Sequence, residues 1–138
     1  MRFIVVGASE VGINLAGRLS EAGHSVSLIE RSEDKISELP NSLDIEVIQN
    51  DACKPETLLE SNISTSDYLI ALTDSDETNA CICLMAKLLN PSVKKIARIR
   101  NLNLGHPEIL SDQLDDYFDL VINPDKSCLL YTSDAADE

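Results

Sequence analysis

The sequence predicts an α/β fold in three layers, a doubly wound parallel sheet of about six strands covered by helices on both faces. Two observations carry this. Short β-branched runs alternate with longer stretches of helical spacing from one end of the chain to the other, and that alternation implies right-handed crossovers between parallel strands. The 138 residues, 43% of them hydrophobic, suit one domain with a single core.

Arg2–Val6 reads as the first strand, and a helix over Val11–Leu19 carries its spacing through Val11, Leu15 and Leu19. Ser25–Ile29 is the second strand. The helix over Glu33–Leu39 ends before Pro40, because the residue ahead of a proline is pushed out of the helical region. Ile45–Ile48 is the third strand, and Lys54–Leu59 starts a helix with Pro55 in its first turn, where a missing N–H costs nothing. Tyr68–Leu72 is the fourth strand. Asp76–Leu89 is the longest helix, capped by Asp74 or Ser75, with Glu77 placed to complete a capping box with Asp74. Lys95–Ile99, a helix over Pro107–Leu114, and Leu120–Ile122 complete the alternation. Beyond its first turn the 76–89 helix carries one charge, Lys87, so it is expected to be either covered by the chain or shared with a second copy.

Charge and cysteine usage exclude several classes of function. With 24 acidic and 11 basic residues the net charge is −13, a field that repels nucleic acid and acidic membrane surfaces. No apolar run approaches the ~20 residues of a membrane-spanning helix, and no export signal opens the chain. The expectation is a cytoplasmic domain without direct membrane insertion. Cys53, Cys81, Cys83 and Cys128 form no CxxC pair, so they read as reduced, packed thiols rather than as a zinc or disulfide framework.

The first strand runs into Gly7-Ala8-Ser9-Glu10-Val11-Gly12. In a strand–GxGxxG–helix unit the outer glycines serve the tight turn and the close helix packing, and the helix N-terminus offers N–H donors to a pyrophosphate. Gly7 and Gly12 fill those outer places and Ser9 replaces the middle glycine, at the expense of room and of access to positive φ. Glu30 follows the second strand, 18 residues after Gly12, where an acid accepts both ribose hydroxyls of an adenosine. Its charge disfavours a 2′-phosphate, while Arg31 beside it offsets that preference. The fold is therefore Rossmann-like, and the carboxyl ends of its strands are the expected ligand edge.

GASEVG, Glu30, QNDACKPETL at 49–58, LIALTDSDETN at 69–79 and KIARIRN at 95–101 occur in that order. In this the chain resembles RCK (KTN) domains, the NAD-binding N-terminal domains of TrkA-type potassium-uptake regulators. The likeness runs from residue 2 to about Lys126, so residues 1–126 read as the domain and 127–138 as a tail of uncertain origin. The resemblance implies a regulatory subunit that assembles with copies of itself on the cytoplasmic side of a membrane potassium-translocating subunit. Bound NAD(H) or ATP/ADP would gate transport. It also implies site residues: Gly7, Ala8, Ser9, Glu10, Val11 and Gly12 in the phosphate loop, and Glu30 with Arg31 at the ribose. Asp51 and Ala52 would lie beside the adenine, Asn50 replacing a family glycine. Thr73 and Asp74 would lie under the rest of the ligand, with Arg98 and Arg100 near the phosphate or nicotinamide. Two apart on a strand, those arginines are expected on one face, and Asp76 and Glu77 are expected to favour their helix through its dipole.

Hydride transfer needs a proton donor or acceptor and a substrate held against the nicotinamide. His24 falls at the edge away from the ligand, His106 reads as an exposed loop residue, and 138 residues leave no substrate domain. The reading is non-catalytic. The alternatives are the cofactor-binding domain of a truncated NAD-dependent oxidoreductase and an interaction module whose loop binds nothing.

Overall fold

A computed structural model describes residues 1–104, 106–109, 111–123 and 128–132. The strands are β1 (Arg2–Val6), β2 (Ser25–Glu30), β3 (Glu46–Gln49), β4 (Tyr68–Ala71), β5 (Lys94–Arg98), β6 (Leu120–Asn123) and β7 (Cys128–Thr132). They form one sheet in the order β3-β2-β1-β4-β5-β6-β7. The first six are parallel, and β7 runs antiparallel to β6. The helices are α1 (Glu10–Glu21), α2 (Glu33–Ser37), α3 (Pro55–Glu60), α4 (Asp76–Leu89) and α5 (Ser111–Leu114), with a 3-10 turn at Ile63–Thr65. The strand order reverses between β1 and β4, and that reversal opens a crevice at the carboxyl ends.

Two cores sandwich the sheet, as a sheet buried on both faces requires. One packs Phe3, Val5, Val26, Leu28 and Ile70 against α1; the other packs Ile4, Ile29, Leu69 and Val121 against Leu58, Ile82 and Ala86 of α3 and α4. Alternate residues of β1 therefore serve opposite layers.

Several expectations need correction. The buried positions of α1 are Gly12 and Ala16, with Leu15 and Leu19 at their flank, while Val11 is exposed. Small residues face the sheet because the helix packs too closely for anything larger. Of the helix expected over 107–114 only Ser111–Leu114 is helical among the described residues. The tail, read as of uncertain origin and given no element, contributes β7; the boundary at Lys126 and residues 133–138 lie outside the described residues. Ser75, not Asp74, caps α4, its hydroxyl accepting from Thr78 N at 3.1 Å. Glu77 therefore sits one place short of a capping box and instead accepts from the Ser75 hydroxyl.

Candidate functional site

The turn from β1 to α1 is built by its glycines. Gly7 has φ +105°, and a Cβ there would lie 2.9 Å from the Leu72 carbonyl oxygen at the end of β4; one on Gly12 would collide with the Gly7 carbonyl. Side chains at either place are excluded by backbone. Ser9 needs no such freedom: its φ is −75°, and its hydroxyl caps α1 by accepting from Gly12 N at 3.2 Å. The hydroxyl thus satisfies one of the N–H groups a helix start leaves unpaired. Among the described residues the amides of Ser9, Glu10 and Val11 take no acceptor. Three free donors at the positive end of a 12-residue helix form a seat for an anion.

Glu30 ends β2 and is buried. One carboxylate oxygen accepts from Ala8 N at 2.8 Å and the other from Ser32 N at 2.7 Å. The side chain is thereby clamped between the phosphate turn and the start of α2. Each oxygen keeps a further lone pair, since an ionised carboxylate offers about four acceptor sites. Glu30 therefore presents a fixed, two-pronged acceptor, as a ribose diol requires.

The cleft above the strand reversal has a volume of about 200 Å³. Of the residues expected at the site, Gly7, Ser9, Glu30, Arg31, Asp51, Ala52, Thr73 and Asp74 line it. Ala8, Glu10, Val11 and Gly12 do not line it; they shape the turn behind it. Asn50, named in the sequence beside Asp51 and Ala52, lines it too, as do Lys35, Ser75 and Thr78, which were not singled out in the sequence for that role. Lys35 is the informative omission. Its ammonium lies 3.8 Å from Asp74, joining the α2 lip of the cleft to the β4 lip, and only its place five residues after Glu30 could have signalled it.

The two arginines behave differently from expectation. β5 ends at Arg98, so Arg100 lies beyond the strand and the period-two argument does not apply to it. The Arg98 guanidinium is buried, donating to the Thr73 carbonyl at 2.7 Å and to Asp74 at 3.1 Å, and neither arginine lines the cleft. Arg98 supports the cleft floor from below.

Asn79, fully buried on α4, is the centre of that support. Its carbonyl oxygen accepts from Thr73 N (3.0 Å) and the Thr73 hydroxyl (2.6 Å), and its amide donates to the carbonyls of Thr73 (3.1 Å) and Arg98 (2.7 Å). Asp76 performs a parallel task one turn earlier. Rather than serving its own helix, its carboxylate accepts from the amides of Arg100, Asn101 and Leu102 at 2.9, 2.6 and 3.0 Å. Burial alone would raise its pKa, but the three amides and the nearby Arg100 charge outweigh burial and lower it below the ordinary 3.8. Asp74, Asp76 and Asn79 therefore hold the ends of β4 and β5 together through side chains.

The two histidines are where the sequence places them, at the amino edge and in an exposed loop after β5, and neither lines the cleft.

The chain as a whole resembles several known proteins. The TrkA homolog of Pyrococcus horikoshii, a Trk system potassium uptake protein, is 33% identical over 127 residues, 91% of this chain and 55% of that protein. The Vibrio alginolyticus TrkA protein is 32% identical over 113 residues, covering 82% of this chain and 24% of its own length. The chain thus spans about half or less of the relatives it matches. Among solved structures, the TrkA-N domain of the Escherichia coli inner membrane protein ybaL superposes with a TM-score of 0.73 at 18% identity, covering 91% of this chain and 88% of that one. The GsuK channel bound to NAD gives 0.71 at 18% identity over 88% of this chain and 21% of that one. The AMP-bound Kef C-terminal domain of Shewanella denitrificans gives 0.62 at 21% identity, covering 80% and 70%. At these identities the superpositions establish the shared fold. A family model for the TrkA-N domain matches residues 3–124, and the chain belongs to the TrkA-N domain family.

Proposed function

We propose that this domain is a nucleotide sensor that regulates potassium transport and catalyses no reaction itself. It acts in the cytoplasm, peripheral to the membrane, through a potassium-translocating partner subunit, and it self-associates. The carrying observation is that the α1 start, with its free amides and with Ser9 on the cleft wall, and the clamped Glu30 carboxylate lie on one cleft. That pairing suits a pyrophosphate and an adenosine ribose, the part that NAD(H) and ATP/ADP share. The names of the TrkA relatives support the link to potassium uptake, and a GsuK channel described as bound to NAD supports the ligand class. Arg31 and Lys35 serve the ribose side, Asp51 and Ala52 the adenine, and Thr73 and Asp74 the distal part of the ligand. Arg98 acts through the Thr73 carbonyl it holds, and Arg100 through its own amide, which Asp76 holds.

The test is a titration of NAD, NADH, ATP and ADP against thermal stability, because a ligand of the folded state raises stability by mass action. At least one should raise the melting temperature in a saturable way. Glu30→Gln should weaken that ligand by about 1–3 kcal/mol, as loss of a charged hydrogen-bond partner does. No shift with any of the four at saturating concentration would overturn the reading.

A further inference from the structure

The rim of the cleft is joined by charge. On one side stands Asp74, just beyond β4; on the other stands Lys35 of α2, its ammonium 3.8 Å from Asp74 Oδ2. The two side chains are 75% and 45% exposed, whereas Val6, Ile29, Leu72 and Ile82, which floor the cleft, are buried. The ion pair therefore crosses the mouth of the cleft and not its depth. Its two ends differ in how firmly they are held. Asp74 Oδ1 accepts from the Arg98 guanidinium at 3.1 Å, and that guanidinium is itself buried and tied to the Thr73 carbonyl at 2.7 Å. Lys35 rides on a five-residue helix with no buried residue, the kind of element that opens locally at little cost. Asp74 is the fixed post and Lys35 the movable arm.

We infer that Lys35 and Asp74 form a strap over the nucleotide cleft, one that a ligand must part to enter and again to leave. The inference rests on the function proposed above and adds a control on the same site. Lys35 serves the ribose side and Asp74 the distal side by closing over the ligand rather than by bonding to it. An ion pair this exposed shifts an equilibrium by at most about fivefold, so the strap sets the pace of exchange and not whether a nucleotide is held. Closing over the empty and the filled cleft alike, it slows entry and exit by the same factor and leaves the dissociation constant in place. Salt weakens it, since the screening length falls to about 3 Å at 1 M, shorter than the separation of the pair. Rising ionic strength thus quickens nucleotide exchange in a domain proposed to regulate potassium transport.

The test is stopped-flow exchange with NADH, read by its own fluorescence, and with etheno-ADP for the adenylates. Lys35→Met and Asp74→Asn remove the pair while changing net charge in opposite directions, so an effect common to both belongs to the strap and not to attraction of an anion. Each should raise the entry and exit rates about two- to fivefold at low salt and leave the dissociation constant within about twofold. In about 1 M KCl the unsubstituted chain should exchange as fast as either variant. Lys35→Arg should keep the slow rates. Without any nucleotide, a water-soluble carbodiimide should join the Lys35 amine to the Asp74 carboxylate as an amide, found by peptide mapping. A faster exit in Lys35→Met alone would make Lys35 a ligand contact and overturn the strap, as would unchanged rates in both variants. Absence of the amide overturns it too. If none of the nucleotides binds, the function proposed above fails, and the mapped amide still decides whether the pair spans the mouth.

Discussion

Ser9 caps α1 with its hydroxyl while its own amide stays free toward the cleft. The two duties use different atoms, so a substitution separates them. Ser9→Ala removes the cap and should cost about 0.5–2 kcal/mol in urea unfolding, whereas Ser9→Gly should cost only a few tenths. Because the anion seat is made of backbone, Ser9→Gly should leave the affinity for a nucleotide within about twofold, or about 0.4 kcal/mol. A large loss of affinity in Ser9→Gly, measured by calorimetry, would move the hydroxyl from the helix to the ligand. Glu30 shows the complementary case, in which one side chain joins both duties. Its oxygens hold the amides of Ala8 and Ser32 while facing the cleft, so its loss disturbs turn and ligand together.

At the scale of elements, the start of α4 is a clasp. Asp76 holds the three amides after β5, and Asn79 holds the ends of β4 and β5. The lowered pKa of Asp76 gives the clasp a pH dependence. Its folded pKa lies below its unfolded one, so its contribution is complete above about pH 4 and is lost as pH falls through the folded value. Asp76→Asn should lower stability at pH 7 by about 1.5–3 kcal/mol, the range for hydrogen bonds to a charged group. It should also flatten the acid limb of stability against pH. An unaltered acid limb would show that the carboxylate is not held as described. Little of this clasp was legible in the sequence. The alternation of strands and α4 itself could be read, because β-branched runs and helical spacing are local signals. The partners of Asp76 lie 24–26 residues away, and a carboxylate in a first helical turn looks the same whether it serves its own helix or a distant loop. Arg98 and Arg100 failed for a related reason, since a two-residue spacing fixes a face only while the strand continues.

Across the whole molecule, the site was readable as a place more than as a set of contacts. The β1–α1 turn, the end of β2 and the end of β4 must meet wherever strand order reverses, so Gly7, Glu30 and Thr73 could be located from sequence. Lys35 enters only once the lips of the cleft are folded against each other. Self-association is likewise a property of the assembled surface. The outer side of α4 exposes Leu84 and Leu88, the latter at 69%, and the neighbouring α3 exposes Leu59. The chain leaves this apolar stripe uncovered among the described residues, beside the Lys87–Asp116 ion pair. Covering a leucine fully is worth about 1.5–3 kcal/mol, and a symmetric contact counts each one twice. Leu84→Glu with Leu88→Glu should therefore weaken association by orders of magnitude. Folding should barely change, since exposed substitutions away from structural features shift stability by about 0.5 kcal/mol or less. Sedimentation velocity over a concentration series reads the outcome: the unsubstituted chain should sediment as an oligomer and the double variant as a folded monomer. If the two sediment alike, α4 is not the surface through which copies of this domain meet.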